Sequence, residues 1–140
     1  MPVETEYLDN GLGTLFRGTG IVTGEDILSA NQRIFSTPEK IRKYKYGLAD
    51  WTGVTEYRVK PSELEYAAFQ DKTAANILPE LFVAVVADKP LDYGLSRMWS
   101  LFIEVNDLNW EVAIFNNRTE AERWLKDQVK AKYQIDLTFR

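Results

Sequence analysis

The sequence predicts an α/β fold in which strands and helices alternate, β-α-β-α-β-α-β-α, around a largely parallel sheet. Three observations carry this. Leu81-Phe82-Val83-Ala84-Val85-Val86-Ala87 is an unbroken apolar run, the pattern of a strand covered on both faces. Apolar residues recur at helical spacing before and after it, so strand and helix patterns alternate along the chain. The 140 residues are 45% apolar and 27% charged, enough for one hydrophobic core without metal or disulfide support.

Residues 1–11 read as a flexible, acidic N-terminal tail closed by Asn10-Gly11, leaving 12–140 as a single domain. Leu12 to Val22 is the first strand, and its glycines predict bends or a bulge. Thr23-Gly24-Glu25-Asp26 opens a helix: the threonine caps the free amides and the carboxylates suit the positive end of the dipole. Ile27, Ala30, Ile34 and Phe35 make its inward stripe.

Tyr44 to Asp50 alternates as a half-buried strand. After Pro61, Leu64, Ala67, Ala68, Ala75 and Leu78 mark a helix that closes before Pro79. Pro90 and Asp92 start the helix behind the apolar strand, with Leu91, Leu95, Met98, Phe102 and Val105 inward. Trp110 to Phe115 is a further strand. Thr119 and Glu122 form a capping box for the last helix, whose buried stripe is Ala121, Trp124, Leu125, Gln128 and Val129. Ile135, Leu137 and Phe139 then alternate with polar residues, as an edge strand or as an arm that makes a homodimer.

Cysteine and histidine are both absent, which removes disulfides, thiolate nucleophiles, cysteine-ligated metals and the usual general base. No EF-hand-like spacing of carboxylates appears, so no metal and no cofactor is expected. The glycine-rich start lacks the Gly-Lys-Ser/Thr of a phosphate loop. The formal charge of −4 disfavours nucleic acid, although Arg33, Lys40, Arg42, Lys43 and Lys45 against Glu39 form one basic stretch, read as a solvated loop. No signal peptide and no membrane-length apolar run is visible, so the expected compartment is the cytoplasm, with no membrane insertion.

Site candidates follow from strand ends, where open α/β sheets gather ligands. Asp50, Trp51 and Thr52 lie where a strand should finish, and Asp88, Tyr93, Asn116 and Asn117 arrive at the same edge if the strands run parallel. Arg97 sits one turn beyond Tyr93, on the same helix face. Trp99 is off the inward stripe of its helix, so Trp51 and Trp99 are the indoles expected to touch something. The ligand- or partner-binding set is therefore Asp50, Trp51, Thr52, Tyr93, Arg97 and Trp99, with no catalytic residue assigned.

Three stretches resemble the SpoIIAA-like, or STAS/SEC14-like, family. Gly20-Ile21-Val22-Thr23-Gly24-Glu25-Asp26-Ile27 looks like its strand-to-helix opening. Leu81 to Lys89 with Tyr93-Gly94-Leu95-Ser96-Arg97-Met98 is similar to its central strand and following helix, and Glu120-Ala121-Glu122-Arg123-Trp124-Leu125 to its final helix. With Asp50-Trp51-Thr52-Gly53-Val54 the likeness covers residues 12–130. It implies a mixed or largely parallel sheet of four to five strands, and a regulatory, protein-binding module switched by a phosphoserine. Where the family's Asp-Ser-Ser-Gly site would follow, Tyr57-Arg58-Val59-Lys60-Pro61 stands, and no serine matches.

The leading expectation is thus a non-enzymatic domain binding a protein partner or small ligand at its sheet edge. A SEC14-like carrier predicts an aromatic-lined cavity of a few hundred cubic ångströms. An enzyme of carboxylates and hydroxyls predicts convergent acids in a cleft, such as Asp50 with Asp88.

Overall fold

The structure is a computed structural model that describes all residues from Met1 to Arg140. Five strands form one sheet in the order β1-β2-β3-β4-β5: β1 Val3–Leu8, β2 Gly13–Thr23, β3 Tyr46–Arg58, β4 Glu80–Val86 and β5 Asn109–Phe115. β1 runs antiparallel to β2, and the remaining pairs are parallel. Helices α1 (Gly24–Ile34), α2 (Pro38–Lys43), α3 (Pro61–Ala75), α4 (Pro90–Val105) and α5 (Arg118–Tyr133) supply the connections. The sheet is mixed and the class is α/β. No helix is long and apolar enough to cross a membrane.

The segment expected as a flexible tail is strand β1. Asp9, Asn10 and Gly11 all take positive φ, which turns the chain so that Leu8 pairs with Gly13 and Val3 with Gly18. Val3 and Leu8 are buried while Glu4 and Glu6 point outward, and those charges keep the sheet edge from pairing elsewhere. The added edge strand is therefore N-terminal. Residues 134–140 form none; Leu137 is buried beside Leu8 instead, and the Asp9 amide donates to the Arg140 carbonyl.

Thr23 caps α1 as its sequence predicts, trading hydrogen bonds with Asp26. The cap of α5 is Asn117 rather than Thr119: its side chain accepts from the Glu120 amide at 2.9 Å, and the helix already begins at Arg118. The basic stretch contains α2 and folds onto the protein. Lys40 and Lys45 lie over the Tyr7 and Tyr133 rings, and Lys43 donates to the Asn10 carbonyl.

β4 is buried on both faces, Phe82, Ala84 and Val86 toward α5 and Val83 and Val85 toward the other helices. β3 is longer than its alternation suggests. Its register against β2 slips between Asp50 and Gly53 and again between Val54 and Glu56. Each extra residue reverses the alternation. Trp51, Val54 and Tyr57 consequently share the face opposite α5 at a spacing that an uninterrupted strand cannot produce.

The two faces are covered differently. On one, α5 lies close, because Ala121 and the buried stripe of Leu125 and Val129 let it settle on β4. On the other, α3 is wedged between α1 and α4 and stands farther from the strands than α5 does.

Candidate functional site

The gap beneath α3 is a cavity of about 120 Å³ between the sheet and helices α1, α3 and α4. Its size follows from small side chains on both surfaces. Gly47 and Ala49 of β3 line the floor, and Ala67 of α3 the roof. Phe16, Trp51 and Trp99 are among the aromatic walls, and most of the lining is apolar.

The roof is held by one carboxylate. Asp71 of α3 is 2% exposed and accepts from Asn31 Nδ2 of α1 at 3.1 Å and from Trp99 Nε1 of α4 at 2.9 Å. One side chain thus ties three helices together above the cavity. Burial pushes its carboxyl up to about 7, against the two donors that favour the charged form.

A second carboxylate closes the α4 end. Asp92, 1% exposed, lines the cavity in the first turn of α4. Its Oδ1 accepts from the Tyr57 hydroxyl at 2.5 Å. Burial and that neighbouring carboxylate hold the Tyr57 phenol far above its ordinary range, so the hydroxyl is a permanent donor. Oδ2 is ion-paired with Lys89, whose Nζ lies 3.1 Å away without being aligned for a hydrogen bond. Lys89 also donates to Asp88 and to the Thr52 carbonyl.

The six residues predicted from sequence separate into three groups. Trp51 and Trp99 both line the cavity. Asp50 lies within β3, which continues to Arg58, and its Oδ1 accepts from the Thr52 amide and hydroxyl at 3.0 and 2.7 Å. Asp50 and Thr52 therefore brace the first register slip, with Lys89 on the Thr52 carbonyl. Tyr93 and Arg97 stand on the exposed side of α4, and neither lines the cavity.

Asp88 is exposed, and the Lys89 hydrogen bond holds its carboxyl below the usual range, so it stays a plain carboxylate. The acid poised to exchange a proton near neutral pH is Asp71, which the sequence reading passed over. Its signal was present: Leu64, Ala67, Asp71, Ala74 and Leu78 fall at helical spacing, with a carboxylate in an apolar stripe. The buried stripe of α4 is likewise polar in part. Asp92, Ser96 and Ile103 are buried and Trp99 half-buried, while Leu91 and Val105, expected inward, are exposed. No three acidic side chains converge to hold a metal ion.

The architecture has a counterpart among solved structures. The crystal structure of an uncharacterized DUF3478-family protein with a SpoIIAA-like fold, from Shewanella loihica PV-4, superposes with a TM-score of 0.51. It is 20% identical and covers 88% of this chain and 91% of its own. This chain therefore has the SpoIIAA-like fold. No family model matches it, and no curated protein does.

Proposed function

We propose that this domain, which adopts the SpoIIAA-like fold, binds a small apolar or amphipathic molecule of about one ring in the cavity beneath α3. The observation that carries the reading is the cavity itself, about 120 Å³ with aromatic walls. Apolar voids near 150 Å³ stay dry and accept benzene, so this one suits a single ring and is too small for an acyl chain. That is smaller than the few hundred cubic ångströms a SEC14-like carrier leads one to expect.

Three features support a binding site over a packing fault. α3 is held away from the sheet by a specific three-helix contact through Asp71 rather than by poor fit. The lining combines aromatic surface with a few fixed polar groups, the composition of small-molecule sites. The cavity adjoins the first turn of α4, which follows the carboxyl end of β4.

Toluene is the probe. It is expected to raise the melting temperature and to shift the indole resonances of Trp51 and Trp99, and Ala67→Leu, which fills the cavity from the roof, should abolish both effects. Wild-type indoles that ignore toluene, or an undiminished response in Ala67→Leu, would overturn the reading. A second reading places a protein partner on the exposed side of α4, where Leu91, Tyr93, Leu101 and Val105 stand at least 48% exposed beside Arg97.

A further inference from the structure

We infer that the outer face of α4 is covered by a second copy of this chain, docked so that its own α4 runs antiparallel across a twofold axis. The inference rests on the second reading above, a protein surface on α4, and is independent of the cavity.

The spacing of the outward apolar residues is the first observation. Leu91, Gly94, Met98, Leu101 and Val105 recur at alternating steps of three and four, the pattern of a seam between two helices. Asp92, Ser96, Trp99 and Ile103 make the inward side of α4, so this second stripe is turned away from the sheet. Leu91, Leu101 and Val105 are all exposed. Gly94 is the telling member. Glycine weakens a helix interior, and a Cβ here would meet nothing within 4 Å, so the fold of one chain does not call for it. Close approach of a second helix does. Tyr66 and Phe69 of the adjoining α3 are exposed as well, their ring centroids 6.1 Å apart, and extend the apolar surface. Residues 134–140 do not cover it, being fastened at Asp9.

Charge selects the occupant. Arg97 and Glu104 flank the seam on one side, both are exposed, and neither has an ion-pair partner in its own chain. Antiparallel packing sets Met98 against the partner's Leu101 and Gly94 against the partner's Val105. That register brings Arg97 opposite the partner's Glu104, and the twofold axis makes the pair twice. In a parallel pair Arg97 would instead face the partner's Phe102, which offers no charge. A stripe that carries both halves of its own complement is what an isologous interface requires. Two helices per copy make a small interface, so dissociation is expected at about 10 µM.

Sedimentation velocity of the full chain from about 1 to 200 µM tests this. The mass is expected to rise from one chain to two across that range. Leu101→Glu, at a position exposed in the single chain and so harmless to its fold, should stay monomeric throughout. Arg97→Glu and Glu104→Arg should each weaken association about tenfold, since two attractive pairs become repulsive. Together they exchange the signs, and the double variant should return to within about twofold of wild type. Wild type that stays monomeric at the highest concentration would overturn the second copy as occupant and leave the α4 surface to a different protein. A dimer undiminished in Leu101→Glu, or single charge variants that the double variant fails to rescue, would overturn it too. The Met98 methyl resonance separates the two readings: a dimer that forms with Met98 unmoved avoids α4 and removes the protein surface there as well.

Discussion

Trp99 Nε1 donates to Asp71 Oδ2 across 2.9 Å, joining the middle of α4 to the middle of α3 over the cavity. Asn31 holds the other oxygen, so the carboxylate has two donors and no cation. Trp99→Phe keeps most of the ring and removes one donor. Losing a hydrogen bond to a buried charged group costs about 1.5–3 kcal/mol. The loss should be larger at pH 8 than at pH 5, because the remaining donor must then carry the whole anion. Denaturant titrations at the two pH values check this, and an equal loss at both would sink it.

The same carboxylate makes stability depend on pH in an unusual direction. Its folded pKa, about 7, lies above the ordinary 3.8, so the folded state holds a proton that the unfolded chain has released. The stabilisation is complete below the ordinary value and is lost as pH rises toward and through 7. No histidine titrates in this window, so between about pH 5.5 and 7.5 the slope belongs chiefly to Asp71. Wild type should lose stability over that range, and Asp71→Asn should be nearly flat. Asp71→Asn should also be the less stable of the two at pH 5.5, since its single carbonyl oxygen faces two donors.

How far the sequence foretold this arrangement depends on which signal each element used. β4 was legible because an all-apolar run leaves few alternatives, and α1 because Thr23 and Asp26 cap each other. β1 was hidden by its charges, which an edge strand can carry on its open face. The site was half legible. Trp51 and Trp99 stood out as indoles off the regular pattern. Asp71 and Asp92 did not, because acids in the interior and the first turn of a helix usually mean solvent and dipole. Only the tertiary fold shows that both are buried. The register slips of β3 have no local sequence mark, and they decide that Trp51 and Tyr57 face the cavity together.

Gly18 is the space that Trp51 occupies. A Cβ at Gly18 would lie 2.5 Å from the indole and 2.8 Å from Val54 Cγ2. Gly18→Ala must push the ring off the strand, and overpacking of this kind costs about 1–3 kcal/mol. The expected result is a lower melting temperature together with a shifted Trp51 indole resonance and weakened toluene binding. An unmoved Trp51 resonance in the folded variant would show that the ring is not seated on the glycine.

Asp9 fastens the end of the chain to its beginning. One carboxylate accepts from the Thr138 amide and hydroxyl at 2.8 and 2.7 Å, from the Phe139 amide at 3.1 Å and from the buried Tyr46 hydroxyl at 2.7 Å. Burial alone would raise its pKa, but these donors outweigh it and hold the carboxyl below the usual range. Its contribution is therefore present above the ordinary carboxylate value and lost as pH falls through the lowered one. Asp9→Ala should cost about 1–3 kcal/mol, much of it from the Tyr46 hydroxyl left buried without a partner. Hydrogen exchange separates this local effect from general loosening. The Thr138 and Phe139 amides should lose protection first, while those of Val83 and Val85 in β4 stay slow. If the two terminal amides kept their protection in Asp9→Ala, packing of Leu137 and Phe139 alone would be holding the segment in place.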